Sequence, residues 1–309
     1  MDIDTTRQPY NFARLHGILF VLGATLAFSS KAIWIKLIYR ETSNIDAISI
    51  MAMRMAFAIP FYLAVVVLIR VRQKRPVATG SIGSLVLLAF LGYYLSSFLD
   101  ITGLAYIPAG LERMILYLYP TMVVIMVARN SGRRIYRGEI ISLTSSYFGI
   151  ALIFLNGLAT NMPHLLLGSV LVFGAAVSFS IYSVKSVDNI HKLGTMRFTA
   201  YTMLIGAAMT LLHFVVSHGM TLPRYNSNVY SLAAMLALTG TVIPSFMMAE
   251  GIRRIGADRT ALLGSLGPMV TIFLAMEVLS EPVSMIQLVG SAIIVFGVFN
   301  LVKLDRAAR

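Results

Sequence analysis

The sequence predicts an all-α integral membrane protein with ten transmembrane helices, arranged as an inverted repeat of five plus five, and with both termini in the cytoplasm. The composition, ten apolar stretches and an internal repeat predict this fold. Hydrophobic residues make up 58% of the 309 residues and charged residues 12%, about half the charged fraction of a soluble domain. An ordinary soluble enzyme is therefore excluded. The formal net charge of +12 is typical of cytoplasmic loops in a membrane protein, so no nucleic-acid partner is expected.

Ten apolar stretches are separated by short charged or turn-rich connections, and each is close to the roughly 20 residues that a bilayer span requires. They are predicted at 15–39, 46–69, 82–105, 110–128, 139–157, 165–184, 198–217, 229–250, 259–279 and 285–302. No soluble domain can be placed between them, so function must be located within the helices or at their ends. The absence of Cys excludes disulfides, thiolate metal sites and cysteine nucleophiles.

The distribution of basic residues sets the orientation. One alternating set of connections carries 19 Lys and Arg residues, whereas the opposite set carries only Arg40 and Arg224. Because positive charge stays on the cytoplasmic side, both termini are predicted to be cytoplasmic.

An internal repeat divides the chain. A shift of 148 residues without a gap superimposes Gly92 on Gly240, Ser97 on Ser245 and Pro120 on Pro268, and a shift of 151 aligns the first span with the sixth. The predicted units are residues 1–157 and 158–309. Each contains five spans, an odd number, so the second enters the membrane from the opposite side. Transporters use inverted repeats to form similar states that open to each side around a site near the midplane.

Short motifs add a resemblance to a known family. They comprise Phe28 to Lys36 (FSSKAIWIK) with Arg54, Gly103 to Ala109 with Pro120, and Gly251 to Ala257 with Pro268 and Glu281-Pro282. With these motifs the chain resembles the ten-span EamA-type branch of the drug/metabolite transporter superfamily. The resemblance implies export of amino acids or related metabolites across the inner (plasma) membrane, without a cofactor.

Among the charged residues inside predicted spans, where a charge costs about 2.5–3.5 kcal/mol on insertion scales, three could meet at a similar depth. Lys31 and Arg54 are about eight residues from the outer ends of their spans, which is a depth of roughly 12 Å at 1.5 Å per residue. Asp100 is about five residues from the outer end of its span and therefore lies less deep. Asp100 could form a structural ion pair with either cation. Alternatively, one cation attracts a substrate carboxylate, and Lys31 is then a candidate substrate-binding residue.

Three of the prolines inside predicted spans are candidates for helix breaks. Pro120 and Pro268 occupy matched mid-span positions, and each frees a carbonyl four residues earlier, at Leu116 and Gly264. Such carbonyls must line a cavity or find other donors. Pro244 predicts a comparable bend in the eighth span. These bends either shape packing alone or supply hydrogen-bond acceptors and gating points to a central site.

Aromatic and hydroxyl side chains complete the predicted site. Tyr93, Tyr117, Tyr182 and Ser245 lie away from span ends or follow a helix break, which favours a cavity over an interfacial belt. Tyrosine rings suit an apolar or aromatic substrate side chain, and the 18 Met residues supply adaptable walls. Broad specificity is expected.

Coupling and alternative functions remain open at this point. Glu250 and Asp100 are possible coupling carboxylates, although Arg253 or Arg254 could pair with Glu250; we expect facilitated diffusion or exchange. The five His residues show no metal-ligand spacing, and no catalytic motif is present, so neither a metal site nor an enzyme is expected. The expected partners are a small-molecule substrate and the lipid bilayer, and a monomer is compatible with the sequence. The alternatives are a multidrug or organic-cation exporter, an intramembrane enzyme, and a scaffold.

Overall fold

The computed structural model describes residues 8–42, 44–72, 82–116, 118–132, 164–219, 224–264 and 266–281, with isolated positions in 134–148 and 285–296. Throughout these residues the regular structure is helical, with no strand. The α-helices are α1 (Gln8–Glu41), α2 (Ala47–Arg72), α3 (Ile82–Ala89), α4 (Ser96–Leu104), α5 (Ala109–Leu116), α6 (Tyr119–Asn130), α7 (Leu165–Leu193), α8 (Thr195–His218), α9 (Ser227–Ala237), α10 (Ile243–Ile255), α11 (Ala257–Gly264) and α12 (Gly267–Leu279). Two π-helical segments, Phe90–Leu95 and Leu238–Val242, connect α3 to α4 and α9 to α10.

Within the described ranges, seven helical stretches are long and apolar enough to cross a membrane. They are Leu15–Glu41, Ala47–Val71, Ile82–Leu104, Ala109–Asn130, Leu165–Leu193, Thr195–His218 and Ser227–Ile255. They coincide with the first four and the sixth to eighth predicted spans. The ninth, 259–279, is divided between α11 and the shorter apolar α12. The fifth and tenth fall mostly outside the described residues. The chain is thus a multi-pass, helical membrane protein.

Helix breaks recur at a constant separation along the chain. The starts of α2 and α8, of the two π-helical segments, of α5 and α11, and of α6 and α12 are each 148 positions apart. Pro120 and Pro268 are the second residues of α6 and α12, a position where the missing proline N–H costs no helical hydrogen bond. Pro244 is the second residue of α10, directly after a π-helical segment. The prolines therefore begin new helical segments, as the sequence predicts for mid-span breaks.

Glycines allow two pairs of helices to pack closely, α1 against α10 and α7 against α4. A Cβ placed on Gly251 of α10 would lie 2.3 Å from Val21 Cγ2 of α1, and one on Gly103 of α4 would lie 2.6 Å from Val172 Cγ2 of α7. Such distances are shorter than a real contact, so only glycine fits without movement of the neighbour. Small residues at a membrane helix crossing let the backbones approach, and both crossings use this arrangement.

Two matched hydrogen bonds hold the broken helices. Ser29 Oγ donates to the carbonyl of Gly267, at the start of α12, and Ser180 Oγ donates to the carbonyl of Tyr119, at the start of α6; both distances are 3.2 Å. Helix α1 therefore binds the start of a helix from the second half, and α7 binds the start of a helix from the first. The two halves interlock around the centre of the molecule.

Candidate functional site

A cavity lies near the middle of the membrane-spanning helices, and both halves of the chain line it. Its lining includes Lys31, Arg54, Tyr93, Phe179, Gly240 and Ser245. Several of these residues belong to helices that are broken or π-helical near the same level, so the irregular backbone surrounds the cavity. Irregular backbone at membrane depth is stable where it lines a cavity or is buried in protein.

One wall of the cavity is charged. Lys31 Nζ donates a 2.6 Å hydrogen bond to Asp100 Oδ2, and the Asp100 side chain is only 2% exposed. Of the two cations that the sequence offered to Asp100, the structure pairs it with Lys31. Asp100 also contacts the Glu112 carboxyl, while Asp100 Oδ1 and Glu112 Oε2 are buried and accept no hydrogen bond from the described residues.

Arg113 belongs to the same wall and is held by protein groups. Its Nε donates to Thr271 Oγ1 at 3.0 Å, and one terminal nitrogen donates to the Phe28 carbonyl. Thr271 Oγ1 in turn donates to the Ser29 carbonyl at 3.3 Å. Arg113 therefore ties α5 to α1 and α12, a structural role that sequence analysis did not assign to it.

Arg54 differs from these cations. It lies on α2, is 2% exposed, and lines the cavity. Its Nε and Nη2 are buried and donate no hydrogen bond to any described residue. Unpaired buried charges are costly, and buried polar atoms in native proteins almost always have partners.

Another part of the lining is aromatic, and we call it the aromatic wall. Tyr93 and Phe179 line the cavity, and Phe179 packs against Tyr119 with ring centroids 5.4 Å apart. Tyr182 lies behind this wall, because its hydroxyl is 2.6 Å from that of Tyr93 and its ring covers Gly92. The rings of Tyr93 and Tyr182 meet edge to face at 5.1 Å. Tyr182 thus positions Tyr93 and packs outside the set of lining side chains.

The two walls carry different chemistry at related positions. Lys31 and Tyr182 correspond under the shift of 151 residues. Gly240 packs against Lys31, and its repeat counterpart Gly92 packs against Tyr182. At these related positions the two halves therefore place an ion-paired lysine and a tyrosine that is hydrogen-bonded to Tyr93, and the lining, which includes Lys31 and Tyr93, is amphipathic.

The remaining predicted site residues are distributed around this centre. Leu116 and Ser245 line the cavity, and Ser245 Oγ is 3.0 Å from the hydroxyl of Tyr62. Gly264 is buried at the end of α11, outside the lining, where Tyr119 covers it. Tyr117 lies outside the described residues. Tyr62 was missed, although a tyrosine inside a predicted span, two residues after Pro60, was a usable signal.

Glu250 lies in a separate cluster toward the end of α10. It accepts hydrogen bonds from Arg253, from Arg254 at 2.6 Å and from Thr195 at 2.7 Å. The contact with Thr195 joins α10 to the start of α8. The contacts with Arg253 and Arg254 are the ion pairs that the sequence offered as the alternative to a coupling role for Glu250. Among the described residues, no group of three His, Asp or Glu side chains could hold a metal ion.

The fold and the cavity define a multi-pass helical membrane protein with an amphipathic site between its two halves, and sequence comparison gives its family. The profile of the EamA-like transporter family matches residues 15–155 and again 166–303. The chain belongs to this family. Transporter YcbK of Bacillus subtilis (strain 168), which is uncharacterized, is 31% identical over 278 residues, covering 89% of this chain and 88% of that protein.

Two further matches are more distant. The uncharacterized transporter YyaM, also from Bacillus subtilis (strain 168), is 23% identical over 220 residues, covering 70% of this chain and 72% of that protein. A solved crystal structure aligns with a TM-score of 0.69 at 18% identity, covering 95% of this chain and 98% of the other. This structural likeness supports the fold alone.

Proposed function

We propose that this transporter exports small organic metabolites, foremost amino acids, across the inner membrane by alternating access. The observation that carries the proposal is the amphipathic cavity between the two halves, whose lining combines the charged Lys31, Asp100 and Arg54 with the aromatic Tyr93 and Phe179. An amino acid has a matching pattern of charged groups at one end and a side chain at the other. A pocket of this kind, apolar with a few convergent polar groups, is the usual form of a small-molecule site.

The proposal includes an architecture of ten helices in two inverted units, 1–157 and 158–309, with cytoplasmic termini. Three observations support it: the helix starts 148 positions apart, the two successive matches of the family profile, and the basic residues concentrated in alternate connections. Two related units of opposite orientation supply the two similar states that alternating access requires.

The proposed pose uses the broken helices as well as the walls. The substrate ammonium lies near the carbonyl of Leu116, which lines the cavity, because a backbone acceptor stabilises a cation without a buried counter-charge; Gly264, the other carbonyl predicted from sequence, is covered by Tyr119 and takes no part. The substrate side chain lies against the aromatic wall. Main-chain recognition tolerates many side chains, so several amino acids compete for the same site.

Counterflow in proteoliposomes tests this function. Vesicles loaded with unlabelled amino acids should take up a labelled one, and other amino acids should compete. Tyr93→Ala should weaken transport of phenylalanine by about 0.5–1.5 kcal/mol beyond the lost contact area, because edge-to-face ring contacts disappear, and should affect alanine much less. Phe173→Ala is the matched control, since that ring is 43% exposed on the outside of α7. Equal losses for both substrates would contradict the role of the aromatic wall.

The second candidate function, export of organic cations or multiple drugs, requires a carboxylate that is free to bind a cation. Asp100 is ion-paired with Lys31 through Oδ2, and Glu250 is ion-paired with Arg253 and Arg254, so the charge of each carboxylate is already balanced by a protein cation. Counterflow of organic cations without counterflow of any amino acid would replace the proposal with this alternative. Turnover of a lipid-linked substrate, with no counterflow, would indicate an enzyme.

A further inference from the structure

The guanidinium of Arg54 is a buried cation with uncommitted donors at the cavity. The residue is 2% exposed and lines the cavity, and its Nε and Nη2 find no acceptor among the described residues. A membrane helix that carries an arginine at this depth must overcome an insertion cost of about 2.5–3.5 kcal/mol. Such intramembrane charges are characteristically paired or face a substrate path.

The neighbouring cations have protein partners. Lys31 is bound to Asp100, and Arg113 donates to the Phe28 carbonyl and to Thr271. Asp100 interacts electrostatically with Arg54, but the hydrogen-bonded contact of the Asp100 carboxylate, at 2.6 Å, is with Lys31. Arg54 is therefore the cation of this wall for which no hydrogen-bond acceptor is found among the described residues at Nε and Nη2.

Two hydroxyl side chains that line the cavity together with Arg54 are committed to their own helices. Ser96 Oγ donates to the Gly92 carbonyl at 2.6 Å, and Thr241 Oγ1 donates to the Leu236 carbonyl at 3.2 Å. Both residues line the cavity with Arg54. Their hydroxyl protons are used within the helices, so these two side chains offer a ligand acceptors rather than donors.

We infer that Arg54 binds the carboxylate of the transported substrate, with two parallel N–H donors on the two carboxylate oxygens. A guanidinium matches a carboxylate in this bidentate geometry, which a lysine ammonium cannot reproduce. The inference rests on the proposed function, and it narrows the substrate class to small carboxylates with an apolar or aromatic body. It also moves the carboxylate-binding role from Lys31, the candidate from sequence, to Arg54.

Thermal unfolding of the full chain in detergent tests the inference with four probes that share one ring. The probes are L-phenylalanine, 3-phenylpropionate, L-phenylalaninamide and phenethylamine; the first two carry a carboxylate and the last two do not. Ligands that bind the folded protein raise its unfolding temperature. We expect both carboxylates to raise it, and the amide and the amine to leave it unchanged.

Substitutions of two arginines on α2 distinguish a specific role of Arg54 in binding from a general effect of removing positive charge. Arg54→Gln should weaken carboxylate binding by at least about tenfold, the size expected for lost hydrogen bonds to a charged group. Arg54→Lys should retain part of the affinity. Arg70→Gln, which removes an exposed cation from the same helix, should bind as the original protein does. Without ligand, Arg54→Gln should unfold at the same or a higher temperature, because it removes a buried charge whose Nε and Nη2 find no acceptor among the described residues.

The possible outcomes distinguish the Arg54 inference, the assignment of amino acids as substrates, and export of cations. The inference would be overturned if the amide raised the unfolding temperature as much as the carboxylates do, or if none of the four probes raised it. It would also be overturned if Arg54→Gln bound the carboxylates unchanged, or if ligand-free Arg54→Gln unfolded at a lower temperature than the original protein. An Arg54-dependent shift from 3-phenylpropionate, without one from phenylalanine, would support Arg54 and overturn the assignment to amino acids. A shift from phenethylamine alone would overturn both and favour export of cations.

Discussion

Lys31 Nζ and Asp100 Oδ2 lie 2.6 Å apart and join α1 to α4 inside the membrane-spanning region. The Lys31 side chain is 14% exposed and that of Asp100 is 2% exposed, so removal of either partner leaves a poorly solvated charge. Lys31→Met or Asp100→Asn should each destabilise the protein by about 3–5 kcal/mol, measured as the free energy of unfolding in mixed micelles. The double variant should recover most of that loss. A double variant whose loss equals the sum of the two single losses would contradict the pairing.

The glycine crossings make a second prediction, which concerns packing. Gly251→Ala and Gly103→Ala each place a methyl group on a valine of the facing helix, so each should destabilise the protein by about 1–3 kcal/mol. Gly83→Ala is the control, because nothing lies within 4 Å of the new Cβ. Unfolding transitions of the three variants measure the effect, and similar stabilities for Gly251→Ala and Gly83→Ala would show that the crossing can relax.

The third prediction concerns topology. The chain contains no Cys, so single cysteines report their side of the membrane without background. Asn44, Asn226 and Ser131 are exposed residues at helix ends. Because basic residues concentrate in the alternate connections, Asn44→Cys and Asn226→Cys should react with an impermeant thiol reagent on intact cells, whereas Ser131→Cys should react only after permeabilisation. The reverse pattern would overturn the proposed orientation.

The fourth prediction concerns coupling. Glu250 accepts hydrogen bonds from Arg253, Arg254 and Thr195, which favours a structural role for its carboxylate over that of a proton carrier. Counterflow should therefore persist in Glu250→Gln, and a pH gradient alone should drive no uphill accumulation in vesicles. An imposed substrate gradient serves as the positive control. Uphill accumulation driven by pH and abolished in Glu250→Gln would contradict this exchange mechanism.

Much of the helical layout could be predicted because membrane spans depend on local composition. Pro120 and Pro268 also predicted their helix breaks, since the missing N–H acts within one turn. The π-helical segment Phe90–Leu95 had no such signal: Ser96 stands where its counterpart has Pro244. Its geometry depends on packing around Gly92 and Tyr182, which local sequence does not encode.

The candidate site was only partly predictable for the same reason. Depth along the helices limited the partners of Asp100 to Lys31 and Arg54, but the choice between them depends on helix rotation and packing. Tyr182 was a reasonable cavity candidate by depth, yet it packs behind Tyr93. That Arg54 Nε and Nη2 have no acceptor among the described residues could not be predicted, because hydrogen-bond partners depend on how the helices pack together.

Access to the cavity from both sides tests the central claim of alternating access most directly. Ser97 lines the cavity and is buried, and Ser97→Cys changes little in volume. In vesicles of defined orientation, this cysteine should react with an impermeant thiol reagent applied from either side, and a transported amino acid should slow both reactions. Ala64→Cys, on an exposed face of α2, should not be protected by substrate. The account would be contradicted if Ser97→Cys reacted with the reagent from one side only, whether substrate was absent or was present on either side of the membrane.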